Sequence, residues 1–242
     1  MENNNEYFEF EGYRITDEQC FKIGENEIPV EFSEQMSILS EAATDKRNKT
    51  IIGQLSDLIA RYPNCLSFQN FLVNAYLTRG EKQKSHEITE RMYVEHPNYL
   101  FSKLQKAETY IYAGKPKEVM EILGKRLELK DLYPDRDWFH LSELTSFLGV
   151  VIMFYISIGD LRAANIQLSR LHYINPEHRT TRFMTEKLML ADKLVRGKKL
   201  ESLHKENEIK VIVNKKPLNN IVSLNAPCPC GSGKKYKRCC KK

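Results

Sequence analysis

The sequence predicts a mainly α-helical protein, in which a row of helical hairpins precedes a small cysteine-rich module. Segments in the middle of the chain repeat at a spacing of 34 residues, and their apolar residues follow helical periodicity. Four of the six cysteines fall between residues 228 and 240. Apolar residues make up 41% of the 242-residue chain, which is enough for a packed core. Alternating stretches near both termini add short strands to the prediction.

Charge and composition divide the chain into four parts. We expect an acidic N-terminal segment at 1–47, a helical repeat domain at 48–197, a linker at 198–224 and the cysteine-rich module at 225–242. Residues 1–45 hold twelve acids and two bases. The last nine residues hold six bases and no acid, against a net charge of +5 for the whole chain. This tail is either a solubilising extension or a contact for an anionic surface.

The repeats are marked by a tyrosine four residues before a glycine. The three pairs are Tyr76 and Gly80, Tyr110 and Gly114, and Tyr155 and Gly159. Glycine favours the left-handed conformation that ends a helix, so each pair predicts the end of a first helix. A proline 17 residues later, at Pro97 and Pro176, then stops the second helix.

Apolar spacing supports the helices of each hairpin. The second helices show it at Ile88 and Met92; Val119, Leu123 and Leu127; and Ala164, Leu168 and Leu171. A preceding helix begins near Ile51 and packs on the first repeat, and a closing helix carries Met184, Leu188 and Ala191. The apolar run 147–158 predicts a buried helix, because it is shorter than the roughly 20 residues that span a bilayer. We therefore expect no membrane insertion.

Three stretches alternate in polarity and predict strands. They are YFEFEGYRI at 7–15, EIPVEF at 27–32 and EIKVIVN at 208–214. The prediction pairs them in a small sheet that joins the two ends of the chain.

The repeated pattern resembles the tetratricopeptide repeat, with repeats at 66–99, 100–133 and 145–178. Residues 134–144 form either an insertion or a lengthened first helix. Two features depart from the family. Its early tryptophan is replaced by Gln69, Lys103 and Leu148, and Asp131 stands where a proline is usual. The resemblance implies a concave groove that binds a protein or peptide and no small-molecule substrate. In its register Asn70 and Asn74 face the groove, unless they are ordinary exposed polar residues.

The end of the chain reads PCPCGSGKKYKRCC over residues 227–240. Four thiolates suffice for a closed tetrahedral metal site, and zinc fits best, although iron also accepts four cysteines. Gly231 and Gly233 allow a turn, and residues 234–238 are expected to form a short helical turn before the last two cysteines. The alternatives are a disulfide cluster and free thiols.

The same residues closely resemble the SEC-C motif, the zinc-binding module at the C-terminus of the SecA translocation ATPase. The resemblance implies that the metal ligands are Cys228, Cys230, Cys239 and Cys240. It also implies docking on a ribosome or an export chaperone. The contacts would come from Lys234, Lys235, Tyr236, Lys237 and Arg238.

These observations predict a zinc-binding adaptor between proteins. The alternative is a nucleic-acid-binding zinc protein, although basic charge is confined to the tail. We expect no enzymatic activity, because the sequence shows no nucleophile–base set, open metal site or cofactor loop. The start of the chain does not read as an export signal, so we expect a cytoplasmic protein, in which clustered cysteines bind metal more often than they form disulfides.

Overall fold

The computed structural model describes residues 8–17, 22–23 and 25–214, together with Asn225 and residues 232–238. Within the helix that ends at Asn214, side chains are described up to residue 197. The described chain is mainly helical, as the sequence predicts, with a few short strands. It divides into two compact units, Met1–Ala191 and Asp192–Lys242.

The helices of the described residues are named in chain order. They are α1 Met36–Thr44, α2 Ile51–Arg61, α3 Leu66–Thr78, α4 Lys82–Glu95, α5 Leu100–Tyr112, α6 Pro116–Leu123, α7 Leu129–Leu132, α8 Leu141–Ser157, α9 Leu161–Ile174 and α10 Arg179–Asn214. Short 3-10 helices lie at Val30–Gln35 and Tyr236–Arg238. No helix among the described residues combines the length and the apolar character needed to cross a bilayer.

Three helical hairpins form where the repeats predict them: α3 with α4, α5 with α6, and α8 with α9. Helix α2 packs against α3, α4 against α5, and α5 against α8, so the hairpins contact one another in order. Helices α3 and α5 begin at residues 66 and 100, where the first two repeats are predicted to begin, whereas α8 begins at Leu141, four residues before the predicted start at 145. Membership of the tetratricopeptide family stays a prediction.

The tyrosine–glycine pairs form the caps that end the first helices. Gly80, Gly114 and Gly159 have positive φ angles of 79°, 67° and 80°. In all three hairpins, the N–H of the residue after the glycine donates to the carbonyl of the tyrosine at 2.9 Å. This bond, and a second from the glycine N–H, are those of the Schellman motif. The tyrosine–glycine spacing in the sequence therefore marks the same helix cap in all three hairpins.

The prolines stop the helices as expected. Helices α2, α4 and α9 end two residues before Pro63, Pro97 and Pro176. The residue before a proline avoids the helical conformation, and here each has an extended or irregular backbone.

The second repeat has no such proline, and its second helix is short. Helix α6 ends at Leu123, so the expected continuation to Leu127 is wrong. Leu127 lies in a turn at a φ of 55° but remains buried. Its apolar spacing reflects burial in the same core rather than one continuous helix.

The stretch between the second and third repeats supplies a strand. Strand β5, Trp138–His140, pairs in parallel with β2, Tyr13–Thr16, which pairs antiparallel with β1, Phe8–Phe10. The predicted N-terminal strand YFEFEGYRI is thus a hairpin. Its two-residue turn, Glu11 and Gly12, has both φ angles positive, as a type I′ turn requires.

Arg136 and Glu143 fix the junction between β5 and α8. Both guanidinium NH groups of Arg136 donate to the carboxylate of Glu143, at 3.0 and 2.8 Å. The guanidinium also lies 4.3 Å from the ring centre of Phe139. Glu143 accepts a hydrogen bond from the backbone N–H of His140 and so completes a capping box at the start of α8. The sequence predicts that residues 134–144 form either an insertion or a lengthened first helix. They do both, since they contain strand β5 and the first four residues of α8.

Two strand predictions are wrong. EIPVEF contains only the end of β4, Asn26–Glu27, which pairs with β3, Lys22–Ile23, before the chain turns into a 3-10 helix. EIKVIVN lies within α10. Alternation over a few residues specifies a strand only where a partner strand is available, and a helix satisfies its backbone groups by itself. No strand of the described residues joins the two ends of the chain.

The main core lies between the second and third hairpins and the three-stranded sheet. It includes Ile15 and Phe139 from the sheet together with Leu104, Val151 and Leu171 from the helices. A second core joins α1, α2 and α3. Met184 and Leu188 of α10 are buried in the main core, which confirms the closing helix.

Candidate functional site

The C-terminal segment contains the helical turn that the sequence predicts between its cysteine pairs. A 3-10 helix covers Tyr236–Arg238, and the N–H of Arg238 donates to the carbonyl of Lys235 at 2.8 Å. Gly233 turns the chain just before it, with a φ of 70°. The four predicted ligands Cys228, Cys230, Cys239 and Cys240 lie outside the described residues. Which atoms surround a metal therefore remains a prediction from the sequence.

The basic side chains of this segment are available to solvent. Lys234, Lys235, Lys237 and Arg238 are exposed, while the Tyr236 side chain lies outside the described residues. A 3-10 helix has three residues per turn, so neighbouring side chains point in different directions. Four exposed cations within five residues make this segment suited to an anionic surface.

The rest of the described chain contains no competing metal site. No group of three or more histidine, cysteine or acidic residues within it is placed to hold an ion. The thiol of Cys65 is buried, and burial raises its pKa to about 11, so it remains protonated and unreactive near neutral pH. Cys20, the other cysteine outside the motif, lies outside the described residues.

Asn70 and Asn74 occupy successive turns of α3, and both are partly buried. The side-chain oxygen of Asn70 accepts a hydrogen bond from the amide nitrogen of Gln105 on α5. Asn70 is thus engaged in the contact between two first helices, whereas Asn74 lies one turn further along the same face. The structure places both residues together, and their role in binding a partner stays a prediction.

Sequence reasoning missed Glu108, a partly buried acid of α5. Burial alone raises the pKa of its carboxyl to about 7, since no cation or hydrogen-bond donor of the described residues reaches it. Glu108 follows Asn74 by 34 residues, the spacing of the repeat. That register was the signal that could have identified it beside the two asparagines.

Comparison with known proteins supports the C-terminal module. Residues 225–242 match the SEC-C motif, a metal-binding type of module. A stretch of 28 residues is 61% identical to the UPF0225 protein plu2503 of Photorhabdus laumondii. The match covers 10% of this chain and 18% of that protein, so this chain spans less than a fifth of the relative. No solved structure matches the chain.

Proposed function

We propose that this protein is a zinc-binding adaptor of the cytoplasm. Its helical hairpins bind a protein partner, and its SEC-C module docks on a larger assembly, a ribosome or an export chaperone. The observation that carries the proposal is the match of residues 225–242 to the SEC-C motif on a chain whose remaining described part is stacked helical hairpins. Stacked hairpins present extended surfaces that suit binding to other proteins.

The donor set of the module fits a structural ion. Cys228, Cys230, Cys239 and Cys240 provide four thiolates, which fill the tetrahedral positions of zinc and leave none for water. When bound, the ion would supply the folding energy of a segment too short to have its own core. The role of the metal is then to hold the turn at Tyr236–Arg238 in place, and binding rather than catalysis is the function.

The exposed cations of the module make the ribosome the first partner to test. Ribosomal RNA presents phosphates, and each phosphate neutralised by lysine or arginine adds salt-dependent affinity. Lys234, Lys235, Lys237 and Arg238 would make these contacts, with Tyr236 stacking or packing beside them.

The test is co-sedimentation with ribosomes at near-physiological salt. Wild-type protein is compared with a Cys239→Ser/Cys240→Ser variant, and Cys20→Ser serves as the matched control outside the motif. We expect wild type and Cys20→Ser to sediment with ribosomes and the double variant to remain in the supernatant. The docking function would be contradicted if the wild type bound neither ribosomes nor a purified export chaperone.

A second measurement separates the adaptor from a nucleic-acid-binding protein. Wild type and a chain truncated after residue 224 are used to capture proteins from a nuclease-treated lysate. An adaptor retains protein partners on the hairpins without the tail. Binding of wild type to protein-free RNA, together with loss of every partner on truncation, would favour the nucleic-acid reader instead.

A further inference from the structure

One stripe of α5 carries polar groups that lack partners. Phe101, Gln105, Glu108 and Tyr112 follow one another at spacings of four, three and four residues. Side chains at these spacings lie above one another on one face of a helix. Phe101 packs against the main core and Gln105 is buried, whereas Glu108 is partly buried and Tyr112 is exposed, so the stripe runs from the core to the solvent.

Gln105 presents a buried acceptor with no hydrogen bond. Its side chain is 8% exposed, and its amide nitrogen donates to Asn70 on α3. The bond to Asn70 fixes the orientation of the amide, and the other end, Oε1, has no partner. A buried acceptor without a donor costs free energy, so the site favours any group that brings one.

Glu108 adds a carboxylate one turn further along the stripe. It is partly buried, and no cation of the described residues pairs with it. The lysine nearest to it in sequence is engaged elsewhere: Lys106 Nζ lies 2.6 Å from the carboxylate of Glu90 on α4. The carboxylate therefore bears the cost of burial without the usual compensation.

Tyr112 supplies an exposed ring next to this carboxylate. The residue is 78% exposed and lies four positions after Glu108. Residues four positions apart on a helix are neighbours on its surface, so the ring lies beside the carboxyl group of Glu108. An aromatic face attracts a cation, and a carboxylate beside it adds a charge-assisted hydrogen bond.

We propose that Gln105, Glu108 and Tyr112 form a subsite for a cationic side chain, arginine or lysine, presented by the protein partner. The subsite offers the side-chain oxygen of Gln105, the carboxylate of Glu108 and the π face of Tyr112, which complement a guanidinium or ammonium group that has donors only. The inference rests on the proposed function, because it assigns the chemistry of the ligand that the hairpins bind. It selects basic segments and rejects acidic ones.

The probe is a hexapeptide of alternating arginine and alanine. The same peptide with citrulline in place of arginine keeps the shape and most hydrogen-bond donors but removes the charge, and a lysine version separates the two cations. Binding to the full-length, metal-loaded chain is measured by fluorescence anisotropy, and the site is located by ¹H–¹⁵N chemical-shift changes on α5.

The matched variants are Glu108→Gln and Glu121→Gln. Both remove one negative charge, but Glu121 is an exposed residue of α6 and lies outside the stripe. Glu108→Gln replaces a charged partner and is expected to weaken the arginine peptide about tenfold or more. The affinity of Glu121→Gln for the arginine peptide should lie within about twofold of the wild-type value, as expected of a lone surface charge. The citrulline peptide should bind neither variant more tightly than it binds wild type.

Two outcomes would overturn the subsite: equal affinity of wild type and Glu108→Gln for the arginine peptide, or chemical-shift changes confined to residues away from α5. These results are distinguishable from failure of the proposed function. Metal-dependent ribosome binding with no response on α5 retains the adaptor and removes the subsite. Peptide binding on α5 without ribosome or chaperone binding retains the subsite and removes the docking function.

Discussion

Glu143 and Glu108 are two acids that differ in the partners of their carboxyl groups. Glu143 is 2% exposed, but Arg136 and the backbone of His140 satisfy its oxygens. Glu108 is less buried and has neither kind of partner among the described residues. The first arrangement fixes the start of a helix, whereas the second leaves a carboxyl group that an external cation could pair with. At the scale of one residue, the partners of an acid rather than its burial separate a structural role from a binding role.

The raised pKa of Glu108 predicts how stability depends on pH. Its ordinary value is 4.5, and burial raises it to about 7 in the folded protein. Between these values the folded state binds more protons than the unfolded state, so the free energy of unfolding falls as pH rises through this window. Glu108→Gln removes this contribution, because glutamine stays neutral.

Thermal unfolding at pH 5 and pH 8 checks this prediction. We expect Glu108→Gln and wild type to unfold at similar temperatures at pH 5, and the variant to be the more stable of the two at pH 8. Glu121→Gln, which removes a charge from an exposed position, should follow the wild type at both pH values. A Glu108→Gln chain with the same pH dependence as wild type would contradict the assignment.

At the scale of the helix, glycine has two different uses in this chain. Gly80, Gly114 and Gly159 adopt positive φ angles that end helices. Gly149 lies inside α8, where a Cβ would come within 2.9 Å of Thr180 Cγ2 on α10. Gly53, inside α2, has open space where a Cβ would stand. Only Gly149 is therefore required by close packing between two helices.

Substitution of Gly149 and of Gly53 by alanine should have opposite effects. Gly149→Ala forces α8 and α10 apart and is expected to lower the free energy of unfolding by about 1–3 kcal/mol. Gly53→Ala should raise it by about 0.5–1 kcal/mol, because alanine favours the helix. Urea unfolding measures both changes. In the Gly149→Ala background, Thr180→Ser removes the methyl group that clashes and should restore part of the loss; no restoration would point to another cause.

The sequence predicts the helical hairpins well because their determinants are local. The cap formed by Tyr110 and Gly114 and the stop at Pro97 depend on residues a few positions apart. The pairing of β2 with β5 joins residues 14–16 to residues 138–140. No local sequence pattern predicts a pairing between segments so far apart along the chain. The strand expected at 208–214 failed for the same reason, since alternation without a known partner does not decide between strand and helix.

The candidate site could be predicted only where the residue types themselves indicate the chemistry. Four cysteines and two glycines in PCPCGSGKKYKRCC identify the metal module, and the match at residues 225–242 supports it. Gln105 and Glu108 are common helix residues, and the absence of a partner for Gln105 Oε1 and for the Glu108 carboxyl group becomes visible only when α3, α4 and α5 are assembled. A missing hydrogen bond leaves no trace in the sequence.

At the scale of the whole molecule, we expect the metal and the helical cores to be separate sources of stability. The described core residues run from Phe10 to Leu188, within the first compact unit, and the four predicted ligands belong to the sequence of the second. Removal of the metal should therefore disorder the C-terminal module while the helical hairpins remain folded.

Far-UV circular dichroism during chelation tests this separation, with native mass spectrometry to follow loss of the ion and elemental analysis to distinguish zinc from iron. We expect the loss of one ion per chain with most of the helical signal retained, and no ion in Cys239→Ser/Cys240→Ser. Collapse of the helical signal on chelation would show that the metal supports the whole fold.

The parallel pairing of β2 with β5 also sets an order of events during synthesis. The segment containing Ile15 leaves the ribosome long before Phe139, its partner across the two strands. At about 5–20 residues per second, the delay is roughly 6–25 seconds. The β1–β2 hairpin is only marginally stable alone, and its three-stranded sheet is complete only after two repeats have been made. A chain whose translation stops before residue 138 lacks the parallel partner of β2, and premature termination thus leaves one edge of this strand unpaired at the beginning of the protein.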